Sequence, residues 1–182
     1  NPTTLAYRGY GVMLRPGSTA EAAAIFERAL NLDPTNEDVM RVGLEFARSI
    51  GDWDAAIGLG RFQTSRDPRC AACFYQLSVA YRDAGQYEAA REVGEIARAL
   101  GFEMSFSLAR TSLLEGDPAP MLTVMETAPE SWQSATYRVM AFHSAGRNDE
   151  SDVALTHLLE NYSDTHPFDI AQAFAWRNEP DS

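Results

Sequence analysis

Between Ala71 and Ala84 the apolar residues Phe74, Leu77, Ala80, Tyr81 and Ala84 fall three and four positions apart, the spacing that lines up side chains on one stripe of an α-helix. Gly85 follows, a residue suited to the left-handed backbone that closes a helix. Tyr87-Glu88-Ala89-Ala90 then opens a second stripe, where small Ala90 lets two antiparallel helices come close. The same alternation of apolar stripe and short polar punctuation runs along the chain. It predicts helices over 3–14, 19–31, 37–50, 53–65, 70–84, 87–100, 103–115, 118–127, 132–145, 148–162 and 167–177. Ala is abundant and runs of β-branched residues are scarce, so the expected class is all-α.

The punctuation is periodic. Gly17, Gly51 and Gly85 stand 34 residues apart, with Gly116, Gly146 and Asn178 as looser successors. Pro34 and Pro68 keep the same step, as do Ala22/Ala56/Ala90, Trp53/Tyr87, Arg48/Arg82 and Gly60/Gly94. Asp33-Pro34 and Asp67-Pro68 end helices, since Pro disfavours helical backbone in the residue before it. A period of this length marks stacked hairpins, each too small to bury its own apolar face.

This pattern resembles the tetratricopeptide repeat. The third unit carries it best, with Phe74, Leu77, Tyr81, Gly85, Tyr87, Ala90 and Ala97. The first gives Ala22, Phe26, Ala29, Leu30 and Pro34, and the second Leu44, Ala47, Gly51, Trp53, Ala56 and Pro68. The resemblance implies a right-handed superhelix of about five helical hairpins plus a final unpaired helix, as a single domain over 1–182. Well-matched repeats are expected at 3–36, 37–70 and 71–101, degenerate ones at 102–131 and 132–163, and a half repeat at 164–178. That half repeat has no second helix to cover Phe174 and Trp176, so this end is a candidate surface for self-association.

Charge narrows the partners. The formal net charge is −11, and every one of the 15 basic residues is Arg. Residues 1–110 carry a net of −2 and residues 111–182 a net of −9. Such a balance argues against general affinity for nucleic acid or anionic membrane. No apolar stretch approaches the roughly 20 residues that a membrane span needs, and no signal-peptide pattern opens the chain. It begins at Asn1, as a fragment whose start was removed would. The expected compartment is the cytoplasm, or the periplasm if a parent chain carries a span.

Candidate chemistry is sparse. Cys70 and Cys73 form Cys-Ala-Ala-Cys at the start of a predicted helix, a spacing that allows buried structural thiols or a disulfide and redox pair. Zinc needs about four ligands and no second Cys pair exists, so no metal is expected. His143, His157 and His166 form no metal-binding pair on one helical face. Gly58-x-Gly60 lacks the preceding strand and following Gly-Lys-Ser of a phosphate loop. Close helix packing accounts for Gly60 instead. Neither a Gly-x-Ser-x-Gly elbow nor paired carboxylates in an apolar setting occur, so neither catalysis nor a cofactor is expected.

The resemblance places ligand on the concave face formed by the first helix of each hairpin. The corresponding positions here include Tyr7, Arg15, Arg41, Arg48, Tyr75, Arg82, Phe106, Arg110 and His143. Planar guanidinium forks bind carboxylates and stack on rings, so an extended acidic peptide or a peptide C-terminus is the expected ligand. The alternative is that the arginines pair with Glu45, Asp83 or neighbouring helix ends.

A non-catalytic scaffold binding protein or peptide is therefore the leading expectation. A small-molecule sensor or enzyme, with a pocket lined by Phe106, Met140 and His143, and an oligomerisation unit are the alternatives. The last residues, Pro167, Ile170, Ala171, Phe174, Ala175, Trp176, Arg177 and Glu179, resemble a pattern in repeat arrays that follow winged-helix or nucleotide-cyclase domains in bacterial signalling proteins. That likeness implies a sensing or assembling role beside another, acting domain.

Overall fold

The computed structural model describes residues 1–179, and every regular element among them is a helix. In order these are α1 (Pro2–Met13), α2 (Thr19–Leu32), α3 (Glu37–Ser49), α4 (Trp53–Arg66), α5 (Ala71–Asp83), α6 (Tyr87–Ala99), α7 (Ser105–Leu114), α8 (Ala119–Thr127), α9 (Trp132–Ser144), α10 (Asn148–Tyr162) and α11 (Pro167–Trp176). All eleven expected helices are present, each with bounds within two residues of the expectation.

Local chemistry sets the helix ends. Gly51, Gly85, Gly101, Gly116 and Gly146 all have φ between 70° and 97°, and Asn178 joins them at 59°. At Gly85 the glycine N–H donates to Arg82 O at 2.9 Å, and the next N–H, of Gln86, donates to Tyr81 O at 2.9 Å. This paired closure satisfies carbonyls that the last helical turn leaves open. It recurs at Gly51, Gly101, Gly116, Gly146 and Asn178. Helix starts are served by side chains: Asn36, Asp52 and Ser131 each accept an N–H from the first turn. Asp33 and Asp67 each accept the N–H two residues on, folding the Asp-Pro turns tightly.

The chain divides into two compact units, Asn1–Met104 and Ser105–Ser182, the second described to residue 179. The division falls close to where the well-matched repeats give way to degenerate ones. In the first unit α1 pairs with α2, α3 with α4 and α5 with α6, while α3 also packs on α1 and α5 on α4. Helix α3 shows why stacking is required. Val39, Val42 and Phe46 pack towards Ala6, Ala22 and Phe26, whereas Leu44 and Ala47 join Ala56, Leu77 and Ala80. One helix thus completes two apolar clusters. Ala22, Ala56 and Ala90, repeated every 34 residues, are all fully buried.

In the second unit α7 pairs with α8 and α9 with α10, while α11 packs mainly on α9. Helix α9 splits its face as α3 does, with Tyr137 and Met140 in one cluster and Ala135 and Val139 in another. The last helix is covered in part, with Ala173 its buried residue. Phe174 and Trp176 are half-buried against these clusters, and Trp176 Nε1 donates to Ser144 Oγ at 2.9 Å. Arg177 donates to Asp152 Oδ1 at 2.5 Å and to Ser151 Oγ at 3.0 Å. Phe168, 80% exposed, is the large apolar residue left in water there.

Candidate functional site

The nine residues expected to face ligand fall into both units, six in the first and three in the second. In the first unit α1, α3 and α5 carry five of them. Tyr7 on α1 is half exposed, and its hydroxyl accepts from Arg41 Nη2 at 2.9 Å and donates to Asp38 Oδ1 at 3.2 Å. The Arg41 guanidinium carbon lies 5.6 Å from the Tyr7 ring centre, within cation–π reach. Arg41 also meets Asp38 at 3.6 Å and Glu45 at 3.4 Å. Two helices are thereby joined by a small polar cluster at the surface.

Arg48 and Arg82, equivalent positions of adjacent repeats, converge on one carboxylate. Arg48 Nε donates to Asp83 Oδ2 at 2.9 Å and its Nη2 to the same oxygen at 2.5 Å. Arg82 Nη2 reaches Asp83 Oδ1 at 3.1 Å, with the Arg82 side chain only 5% exposed. The intramolecular alternative therefore describes Arg41, Arg48 and Arg82. Asp38, Glu45 and Asp83 match their charge, so this face is balanced. Tyr75 stacks on Phe102, ring centres 4.8 Å apart, and is half-buried.

Arg15 departs from its expected place. Helix α1 ends at Met13, and Arg15 N–H bonds back to Val12 O at 2.9 Å, three residues away, tightening the last turn. Ser18 Oγ then donates to both Val12 O and Arg15 O. Arg15 consequently sits exposed in the turn before α2, off the face of α1.

In the second unit Phe106 and Arg110 lie one turn apart on α7 and meet Tyr137 of α9. Phe106 packs edge-on at 5.0 Å, and the Arg110 guanidinium lies 5.7 Å from the same ring centre. Tyr137 was not singled out by sequence reasoning; its place in a degenerate repeat hid it. His143 is half-buried in the last turn of α9. Of the three residues expected to line a small-molecule pocket, Met140 is core, while Phe106 and His143 are half-buried. An open apolar hollow of about 420 Å³ lies between α9 and α10, lined by Ala135, Phe142, Val153 and Ala154 with Glu130, Arg138, Glu150 and His157 around it. Arg147 hydrogen-bonds Glu150 through two nitrogens, which holds the Glu150 carboxyl below its usual range.

Cys70 and Cys73 are joined by a disulfide, and both are partly exposed. The expectation of buried thiols is thus corrected: at the first turn of α5 the sulfurs sit at the helix end, outside the apolar stripe. Cys70 is the N-cap of α5, and its Sγ accepts the Cys73 N–H at 3.2 Å. The pair borders a cavity of about 190 Å³ whose other walls come from α3 and α4.

Among the described residues no group of three or more His, Cys, Asp or Glu side chains is placed to hold a metal ion. No described helix is long and apolar enough to cross a membrane. No family model matches the chain, and no curated protein matches it in sequence. Solved structures do match. One is the crystal structure of a thermophilic TPR protein from Thermus thermophilus, 20% identical, with a TM-score of 0.72 over 96% of this chain and 98% of that chain. The repeat spacing, the stacked hairpins and this likeness agree that the chain has a tetratricopeptide-type helical-repeat fold.

Proposed function

We propose that this chain is a non-catalytic scaffold that binds a protein or extended peptide along the first helices of its repeats. The observation that carries the reading is the Tyr7–Arg41 pair. Tyr7 is 50% exposed and Arg41 36%, and both are held in place by Asp38 and Glu45. An ordered aromatic ring beside an ordered guanidinium offers a ligand two contacts without a large loss of side-chain freedom.

An extended acidic peptide remains the ligand of choice, bound by exchange: its carboxylate takes the place of Asp38 on Arg41 while an apolar side chain covers Tyr7. Arg48 and Arg82 are poor handles, because both already hold Asp83. Isothermal titration with extended acidic peptides tests this. Tyr7→Ala combined with Arg41→Ala should weaken binding roughly tenfold or more, the scale of an interface hot spot. Equal affinity in the variant removes the reading.

The finer role proposed is that of a sensing or assembling module in a larger bacterial signalling protein. The likeness of Pro167 to Glu179 to arrays that follow winged-helix or nucleotide-cyclase domains supports it. A parent gene encoding neither kind of domain would overturn this part alone. A second reading, small-molecule sensing, is favoured by the hollow between α9 and α10. A metabolite panel that raises Tm, with the rise abolished by Val153→Arg, is the outcome that reading requires.

A further inference from the structure

We infer that the Cys70–Cys73 disulfide is a thiol–disulfide exchange site whose adjoining cavity receives the backbone of a cysteine-bearing peptide. The cavity shares Arg41 and Asp38 with the peptide face on α1 and α3, but the inference rests on the disulfide and Gln63, which that face does not use. Three observations meet at one place. The disulfide is partly exposed, so an incoming thiolate can reach it. It borders a cavity of about 190 Å³, walled by Arg41, Arg66 and Gln63 among others. Gln63, only 5% exposed, lines that cavity, and its Oε1 is the buried side-chain polar atom without a hydrogen-bond partner among the described residues. A buried acceptor left unpaired is costly, and once the Gln63 amide turns into the cavity that it lines, a peptide N–H there removes the cost.

The chemistry runs in two displacements. The thiolate of the incoming cysteine attacks Cys73 Sγ, forming a mixed disulfide and breaking the Cys70–Cys73 bond. The electron pair of that bond leaves on Cys70 Sγ. Cys70 is the better leaving sulfur because it already accepts the Cys73 N–H at 3.2 Å and caps the positive end of α5. A second thiol then attacks the external sulfur of the mixed disulfide and releases Cys73. Two thiols are oxidised to one disulfide, and Cys70 and Cys73 gain two electrons and two protons. A Sγ on Cys70 remains able to accept the same N–H after reduction, so α5 keeps its cap in both states.

The test uses the folded chain with its disulfide formed. A blocked Gly-Cys-Gly peptide and 2-mercaptoethanol are compared as reductants at matched thiolate concentration, and acid-quenched, alkylated samples are mapped by mass spectrometry. The peptide should react roughly tenfold faster, the worth of one hydrogen bond to a buried acceptor, and be found on Cys73 with alkylated Cys70. Gln63→Leu should erase the peptide's advantage and leave the 2-mercaptoethanol rate unchanged, with helical circular dichroism confirming that the variant is folded. Equal rates for the two thiols in the parent chain overturn the inference. So does reduction that occurs only after denaturation, or a peptide attached chiefly to Cys70.

Discussion

Glycine at two neighbouring positions of α4 serves opposite ends. A Cβ built on Gly60 would lie 2.9 Å from Leu77 Cδ1, 3.1 Å from Leu77 Cβ and 3.3 Å from Leu44 Cδ1. A Cβ on Gly58 meets nothing within 4 Å. Gly60→Ala should therefore destabilise the chain by about 1–2 kcal/mol, overpacking outweighing the better helix propensity of Ala. Gly58→Ala should stabilise it by about 0.5–1 kcal/mol. Urea titration of both variants checks the reversal of sign. The close approach at Gly60 was legible in the sequence, because its recurrence at Gly94, one repeat on, demanded a packing reason. Asp38 and Gln63 were not legible. Each looks like an ordinary surface polar residue until folding puts Asp38 beside Tyr7 and buries Gln63.

At the level of elements, helices and their ends could be read from residues because both are written locally. A glycine just past an apolar stripe closes a helix whatever stands around it. Side-chain pairing across helices is not written locally. The sequence leaves Arg48 and Arg82 open between a ligand and Asp83, and in the structure Asp83 binds both. Asp83→Ala should accordingly cost about 1–3 kcal/mol at neutral pH, since it removes the carboxylate that the Arg48 and Arg82 guanidiniums share. Chemical denaturation measures that loss.

Two surface carboxylates should respond to acid. Thr35 hydrogen bonds hold Asp33 below its usual range, and Arg147 does the same for Glu150. Because the folded-state values are depressed, the contribution of each group is complete above its unfolded value, about 4. It is lost as pH falls through the lower folded value. Carboxyl chemical shifts followed by NMR should place both midpoints below those of unpaired Asp and Glu in the same chain.

On the scale of the whole molecule, the four apolar clusters divide cleanly, two within residues 1–104 and two within 105–179. The segment Asn1–Met104 expressed alone should thus keep helical circular dichroism and a cooperative thermal transition. A featureless melt would show that its clusters do not suffice. The period of 34 announced the three well-matched hairpins, whereas the boundary after Met104 left no mark beyond the fading of signature residues. Contacts, not composition, define it.

The glycine closures described above carry one further implication, for how such a chain changes length. Every hairpin brings its own stop signals, so copying one 34-residue module in frame would insert a piece that already knows where to turn. The new piece would meet neighbours like those of the original, and no terminator elsewhere would need revision. Growth by duplication is thereby open to this architecture, where a fold closed by distant strand pairing would have to be rebuilt.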